Sequence, residues 1–156
     1  MSRRPLALAA ALLLAAAAAC ADQPALSLVD DAGHAVALAH PARRIVALAP
    51  HLTELVYAAG AGDQLVAVGK FSDFPPEAGS KPVISDAFAV NYEALTQLKP
   101  DLVLVWGSGT ADRTKTKLRS LGVPVYEIEI RSVAGLADTL RSIRSEEHTS
   151  ELQSLV

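Results

Sequence analysis

The sequence predicts an α/β fold: a three-layer lobe in which a parallel sheet is covered by helices, preceded by a short β-hairpin. Three observations predict it. Short apolar runs rich in Val, Ile and Leu recur along the chain, bounded by Gly or Pro. Between them lie stretches whose apolar residues repeat at helical spacing. The runs in the middle of the chain are continuous rather than alternating, which suits strands buried on both faces of a sheet. Strand, helix and strand in succession imply parallel strands joined by right-handed crossovers.

Each element has its own signal. Leu26–Val29 and Ala35–Leu38 flank Asp30-Asp31-Ala32-Gly33 and read as the hairpin. Pro41 then breaks the chain. Ile45–Leu48 is the first strand of the parallel set. Leu52, Leu55, Val56 and Ala59 share one helix face, with Pro50 in the first turn and Gly60 placed to end the helix. Leu65–Val68 is the second strand, followed by the loop Phe71-Ser72-Asp73-Phe74-Pro75-Pro76. Val83-Ile84 is a short third strand. Asn91 caps a helix carrying Leu95 and Leu98, and Pro100-Asp101 turns the chain into the strand Leu102–Val105. Gly107-Ser108-Gly109 makes the next loop, and a helix from Ala111 to Leu121 stops at Gly122. Val123–Ile128 holds a further strand, interrupted early by Pro124. Ser132 caps a last helix with Val133, Leu136, Ala137 and Leu140 on one face.

The two ends differ from this body. Arg3 and Arg4 precede an apolar run, Leu6 to Ala19, that is too short to span a bilayer comfortably. Small residues then lead to Ala19-Cys20-Ala21 before Asp22, the layout of a secretory signal peptide over residues 1–21. A soluble periplasmic product is expected. The alternative is a lipoprotein anchored through Cys20, although no leucine stands three residues before it. Cys20 is the single cysteine, so no disulfide forms within the chain. At the other end, residues 144–156 contain no Ala, Gly or Pro. The run from Arg144 to Ser154 looks like an in-frame translation of a sequencing-library adapter. Residues 22–143 are therefore expected to be an incomplete lobe, and 144–156 a non-native tail.

Composition excludes some functions. A net charge of −3 provides no basic footprint for nucleic acid and no polybasic membrane patch. Enzyme signatures are missing from the body of the chain. No Gly-rich phosphate loop follows the first strand, and Gly107-Ser108-Gly109 lacks the lysine and spacing of one. No G-x-S-x-G elbow occurs. Asp30-Asp31 fits a hairpin turn better than acid–base chemistry. His51, just after a strand, could ligate a metal, but such sites need three or four ligands. The body adds only His34 and His40, both ahead of the sheet, and His148 falls in the suspect tail. His51 therefore reads as a polar helix-start residue, with no metal site and no resident cofactor expected.

Ligands of parallel α/β sheets bind at the carboxyl ends of the strands. Phe71 and Phe74 follow the second strand of the parallel set, Asp86 and Phe88 the third, and Trp106 ends the fourth. These are all three phenylalanines and the one tryptophan of the chain. Together they predict a flat apolar platform for a bulky, partly apolar ligand. Asp73 and Asp86 are the charged groups beside it, and Phe71, Phe88, Trp106 and Asp86 are the expected ligand-binding residues.

Several segments together resemble the periplasmic cobalamin-binding proteins of ABC importers, within the wider family that binds iron-siderophores, haem and cobalamin. They are Arg44-Ile45-Val46-Ala47-Leu48-Ala49-Pro50, Thr53-Glu54-Leu55, Gly60-Ala61-Gly62-Asp63, Phe71-Ser72-Asp73-Phe74-Pro75-Pro76, Asn91-Tyr92-Glu93, Leu98-Lys99-Pro100-Asp101-Leu102-Val103 and Leu121-Gly122-Val123-Pro124-Val125. The resemblance runs from about Leu26 to Ile143. It implies two α/β lobes joined by a long rigid helix, with ligand in the cleft between them, and identifies this chain as the N-terminal lobe. It further implies that Phe71 and Trp106 contact a corrin. A further tryptophan of the family falls at Ala87, with Phe88 adjacent, and there the sequence departs from the family pattern. Glu93 matches a glutamate that docks on the permease; its position in a first helical turn also suits compensation of the helix dipole. The implied partners are a permease and its ATPase, with the binding protein a monomer. Two alternatives stay open: an iron-siderophore or haem ligand, and a periplasmic α/β enzyme whose catalytic residues lie in the missing half.

Overall fold

A computed structural model of the chain describes residues 26–130. The expected signal peptide, the helix expected after Ser132 and the expected tail from Arg144 lie outside the described residues. Seven strands and three α-helices make up the described part. They are β1 (Leu26–Val29), β2 (Ala35–Leu38), β3 (Ile45–Ala47), α1 (Pro50–Ala58), β4 (Leu65–Gly69), β5 (Val83–Ser85), α2 (Tyr92–Leu98), β6 (Leu102–Trp106), α3 (Asp112–Ser120) and β7 (Val125–Ile128). Single 3₁₀ turns at Gly62–Gln64 and Pro76–Ser80 carry no periodic signal and were not expected.

β1 and β2 form the antiparallel hairpin. The other five strands form one parallel sheet in the order β5-β4-β3-β6-β7. The chain therefore builds outward from β3 to β5, returns, and continues on the other side through β6 and β7. Between β3 and β6 the winding reverses. That switch leaves a crevice at the carboxyl ends of two adjacent strands, because their following segments leave in opposite directions.

Side-chain alternation explains the three layers. Ile45, Ala47, Leu102, Leu104 and Ile128 face one side and pack with Leu52, Leu55 and Val56 of α1 and Val36 and Leu38 of the hairpin. Val46, Val103, Val105 and Val125 face the other side, against Leu95 of α2 and Leu118 of α3. Both faces are thus covered, as the unbroken apolar runs require.

Helix ends follow local chemistry. Pro50 opens α1, and Gly60, at φ +88°, lets the chain leave it through the left-handed region. Asn91 caps α2 by accepting the Ala94 amide at 3.0 Å. Lys99 stops that helix at φ +46°, ahead of Pro100. Three expected boundaries move inward. β3 ends at Ala47, with Leu48 on the rim. β7 starts at Val125, because Pro124 has no amide hydrogen to donate, although its carbonyl accepts from Val103. α3 covers Asp112–Ser120 rather than Ala111 to Leu121. Among the described residues no helix is long and apolar enough to cross a membrane.

Candidate functional site

A depression of about 310 Å³ opens at the carboxyl edge of the sheet, where the winding reverses. Leu48, Ala49 and Pro50, leaving β3, form its floor together with Trp106 at the end of β6. Phe71 enters from the loop after β4, and Asp86 to Val90 from the loop after β5. Phe71, Phe88, Trp106 and Asp86 therefore share one site. Phe74 does not line it, although it is exposed; the platform holds three rings, not four. Phe71 is 73% exposed, Phe88 88% and Trp106 41%. Leaving that much ring surface in water forgoes burial worth about 1.5–3 kcal/mol for a phenylalanine.

The loop carrying Phe71 is held under strain. Phe71 has φ +68°, a left-handed conformation that bulky residues rarely adopt. Its neighbour Ser72 is buried and hydrogen-bonds the buried Thr53 of α1, Oγ to Oγ at 3.0 Å. Lys70 places its ammonium 5.2 Å from the Phe71 ring centroid. The Lys70 amide donates to the Ser85 carbonyl at 2.7 Å, so the backbone is held on both sides of Phe71.

Phe88 sits in a turn built by Asp86. One carboxylate oxygen, Oδ1, accepts the Phe88 and Ala89 amides at 2.8 Å each, and the Asp86 amide donates to the Ala89 carbonyl at 2.9 Å. These backbone hydrogen bonds, first Phe88 and then Ala89, lower the Asp86 pKa and keep it ionised. Its local work is to shape the turn that projects Phe88.

Trp106 is contacted from two places. The imidazole of His51, in the first turn of α1, meets the indole edge-to-face, with centroids 5.1 Å apart and planes at 83°. The ring also lies on the Gly109 backbone, where an added Cβ would stand 1.9 Å from Trp106 Cε3. Ser108 between them is pinned by Glu129, which accepts from its amide at 2.6 Å and its hydroxyl at 3.0 Å. Burial lowers the His51 pKa, outweighing Glu54 and Glu129, which raise it. Sequence alone suggested only a polar helix-start residue; the contact with Trp106 joins two crossovers, and no local pattern signals it.

Two cations line the depression, Lys70 and Arg113, against one acid, Asp86. Arg113 joins none of the ion pairs among the described residues. Glu93 lies apart from this site, exposed on the first turn of α2.

The other charged cluster lies where the hairpin meets β7. Asp30, His34 and Glu127 bring ligand-type atoms together. Glu127, 3% exposed, already accepts from Lys115 at 3.0 Å and from Arg119. Burial pushes the Glu127 carboxyl upward, but the bonds from Arg119 and Lys115 outweigh it and hold it below the ordinary value. Asp30 and Asp31 accept the Glu127 and Glu129 amides at 3.3 and 2.7 Å, closing the outer edge of β7. The arrangement is a joint between hairpin and sheet: two cations already supply the charge a metal would bring.

A covered parallel sheet with an aromatic-lined crevice at its switch point defines an α/β domain of the kind that takes ligands at its carboxyl edge. Residues 45–145 match the family model described as periplasmic binding protein, and the chain belongs to that family. A vitamin B12-binding protein of Vibrio cholerae serotype O1 is 42% identical over 103 residues, which cover 66% of this chain and 37% of that protein. The crystal structure of the periplasmic vitamin B12 binding protein BtuF of Vibrio cholerae is similar with a TM-score of 0.66 at 40% identity, over 69% of this chain and 42% of that one. The structure of the haem-binding protein HmuT is similar with a TM-score of 0.64 at 26% identity, over 80% of this chain and 40% of that one. The chain spans a little over a third of the length of the curated relatives it matches.

Proposed function

We propose that this chain is the N-terminal lobe of a periplasmic substrate-binding component of an ABC importer, capturing cobalamin for a membrane permease and its ATPase. In this reading residues 1–21 are the export signal, 22–143 the lobe, and 144–156 a non-native tail. Phe71, Phe88, Trp106 and Asp86 meet the ligand, Asp86 also shaping the turn that carries Phe88, and Glu93 docks on the permease. The binding protein works as a monomer and does no chemistry on its cargo.

The observation that carries the reading is the convergence of three exposed rings, from three successive crossovers, on one open depression. A flat macrocycle with apolar faces complements such a surface better than a small anion does. The similarity to vitamin B12-binding proteins supports the same ligand class. One open face buries only part of a bulky ligand, so tight binding needs the opposing lobe of the intact gene product.

Lys70 and Arg113 favour a second reading, in which the ligand is a haem or an iron-siderophore with peripheral anionic groups. Calorimetric titration of the intact gene product decides between them. Cobalamin should give saturable heat with a dissociation constant of about 1 µM or tighter, roughly −8 kcal/mol. No heat with cobalamin at high micromolar concentration, together with saturable heat from hemin or a ferric siderophore, would replace the first reading by the second.

A further inference from the structure

We propose that His51 and Gly109 are positioning residues that seat the Trp106 indole, holding the third ring of the depression in the orientation a flat ligand meets. The consequence for binding rests on the ligand reading above; the seating is a property of this chain and is tested separately.

A tryptophan at the exposed end of a strand ordinarily samples several rotamers. Here its backbone is fixed on both sides. The Thr110 amide donates to the Trp106 carbonyl at 2.9 Å, and the Gly107 amide to the Ile128 carbonyl at 2.9 Å. The loop that follows is tied down through Ser108 and Glu129. Gly109 on that loop leaves a slot the ring fills: a Cβ there would stand 1.9 Å from Cε3 and 2.3 Å from Cδ2. His51 supplies the second contact, edge-to-face at 5.1 Å. His51 itself is not among the residues lining the depression. It therefore acts through Trp106. The charged groups facing it are Glu54 on its own helix and Glu129 beyond β7. A ring ordered in advance does not have to be immobilised when ligand arrives.

Trp106 is the only tryptophan in the chain, so its fluorescence reports this ring alone. The test uses the full chain and the variants His51→Ala, His51→Phe and Gly109→Ala. His51→Ala and Gly109→Ala should lower the emission anisotropy of Trp106 and raise its quenching by acrylamide. His51→Phe should restore both toward the unsubstituted values, because a phenyl ring keeps the edge contact. Acidifying the unsubstituted chain should quench the emission as the touching imidazole gains a proton. The midpoint should fall below the ordinary histidine value of 6.5, and His51→Phe should abolish the step. In the intact gene product His51→Ala should weaken cyanocobalamin binding about threefold to tenfold, the factor an aromatic contact supplies. Unchanged anisotropy and acrylamide quenching in His51→Ala would overturn the proposal. If that variant fails to fold, a pH step surviving in His51→Phe would overturn it instead. Failure of cyanocobalamin to bind the unsubstituted gene product would overturn the ligand reading, while the fluorescence arm still decides the seating.

Discussion

The rim of the depression and the joint at the β7 edge treat their difficult side chains in opposite ways. At the joint, Glu127 accepts from Lys115 and Arg119, Lys115 also pairs with Asp112 at 2.9 Å, and Asp30 accepts from the Ala32, His34 and Glu127 amides. Each demanding group is answered by another part of the same chain. At the rim, three rings face water, one of them from a strained backbone position, and the Arg113 guanidinium has no ion pair among the described residues. Structural charge is satisfied internally, whereas the surface proposed to meet a ligand is left open, at some cost to stability.

Variants at the two regions should therefore separate stability from binding. The largest effect is expected from Glu127→Ala, which leaves Lys115 and Arg119 without their shared carboxylate. It should cost about 3 kcal/mol in denaturant unfolding, and Trp106 emission of the folded protein should stay unchanged. A loss no larger than that of an ordinary surface substitution would erase the contrast. The same joint sets the pH range of stability. Glu127 has a folded pKa below its ordinary 4.5, so its contribution is complete above 4.5 and is lost as the pH falls through the folded value. Lys115 is raised above 10.5, by hydrogen bonds first to Asp112 and then to Glu127. Its contribution is complete below 10.5 and is lost as the pH rises through the folded value. Thermal melts across pH should fall off at these two ends.

Phe88→Ala should behave in the opposite way. Its ring is almost fully exposed, so unfolding should change by less than about 0.5 kcal/mol. Cyanocobalamin binding by the intact gene product should weaken by about 2 kcal/mol, roughly thirtyfold, if the ring is buried by ligand. Phe71→Gly sharpens the comparison further: relief of the left-handed backbone should raise stability by about 1 kcal/mol while ligand affinity falls. The smallest effect belongs to Asp86→Ala. Loss of its turn hydrogen bonds should loosen Phe88 and weaken binding less than removal of the ring itself, with unfolding nearly unchanged.

The sheet and its helices were legible because each is written locally. Val46 and Val103 sit in unbroken apolar runs, Leu52, Leu55 and Val56 repeat at helical spacing, and Asn91, Gly60 and Gly122 mark ends. Strand ends in a parallel sheet share one edge, so the meeting of Phe71, Phe88 and Trp106 could be expected from chain order. What escaped was set by contacts between crossovers. His51 touches Trp106 across 55 positions of chain, and Glu127 lies unmarked in the strand run Val125–Ile128 until α3 brings Lys115 and Arg119 to it. Phe74 failed to join the rim although its loop was placed correctly, because the direction a loop side chain takes depends on backbone angles that periodicity does not encode.

Two-dimensional ¹⁵N NMR of this chain, titrated with cyanocobalamin, tests the role of the rim most directly. The single indole N–H of Trp106 and the amides of Phe71 and Phe88 should shift together, while the amides of Asp31 and Glu127 stay in place. Shifts confined to the β7 edge, with the indole signal unmoved, would contradict the assignment of the three rings to a ligand face.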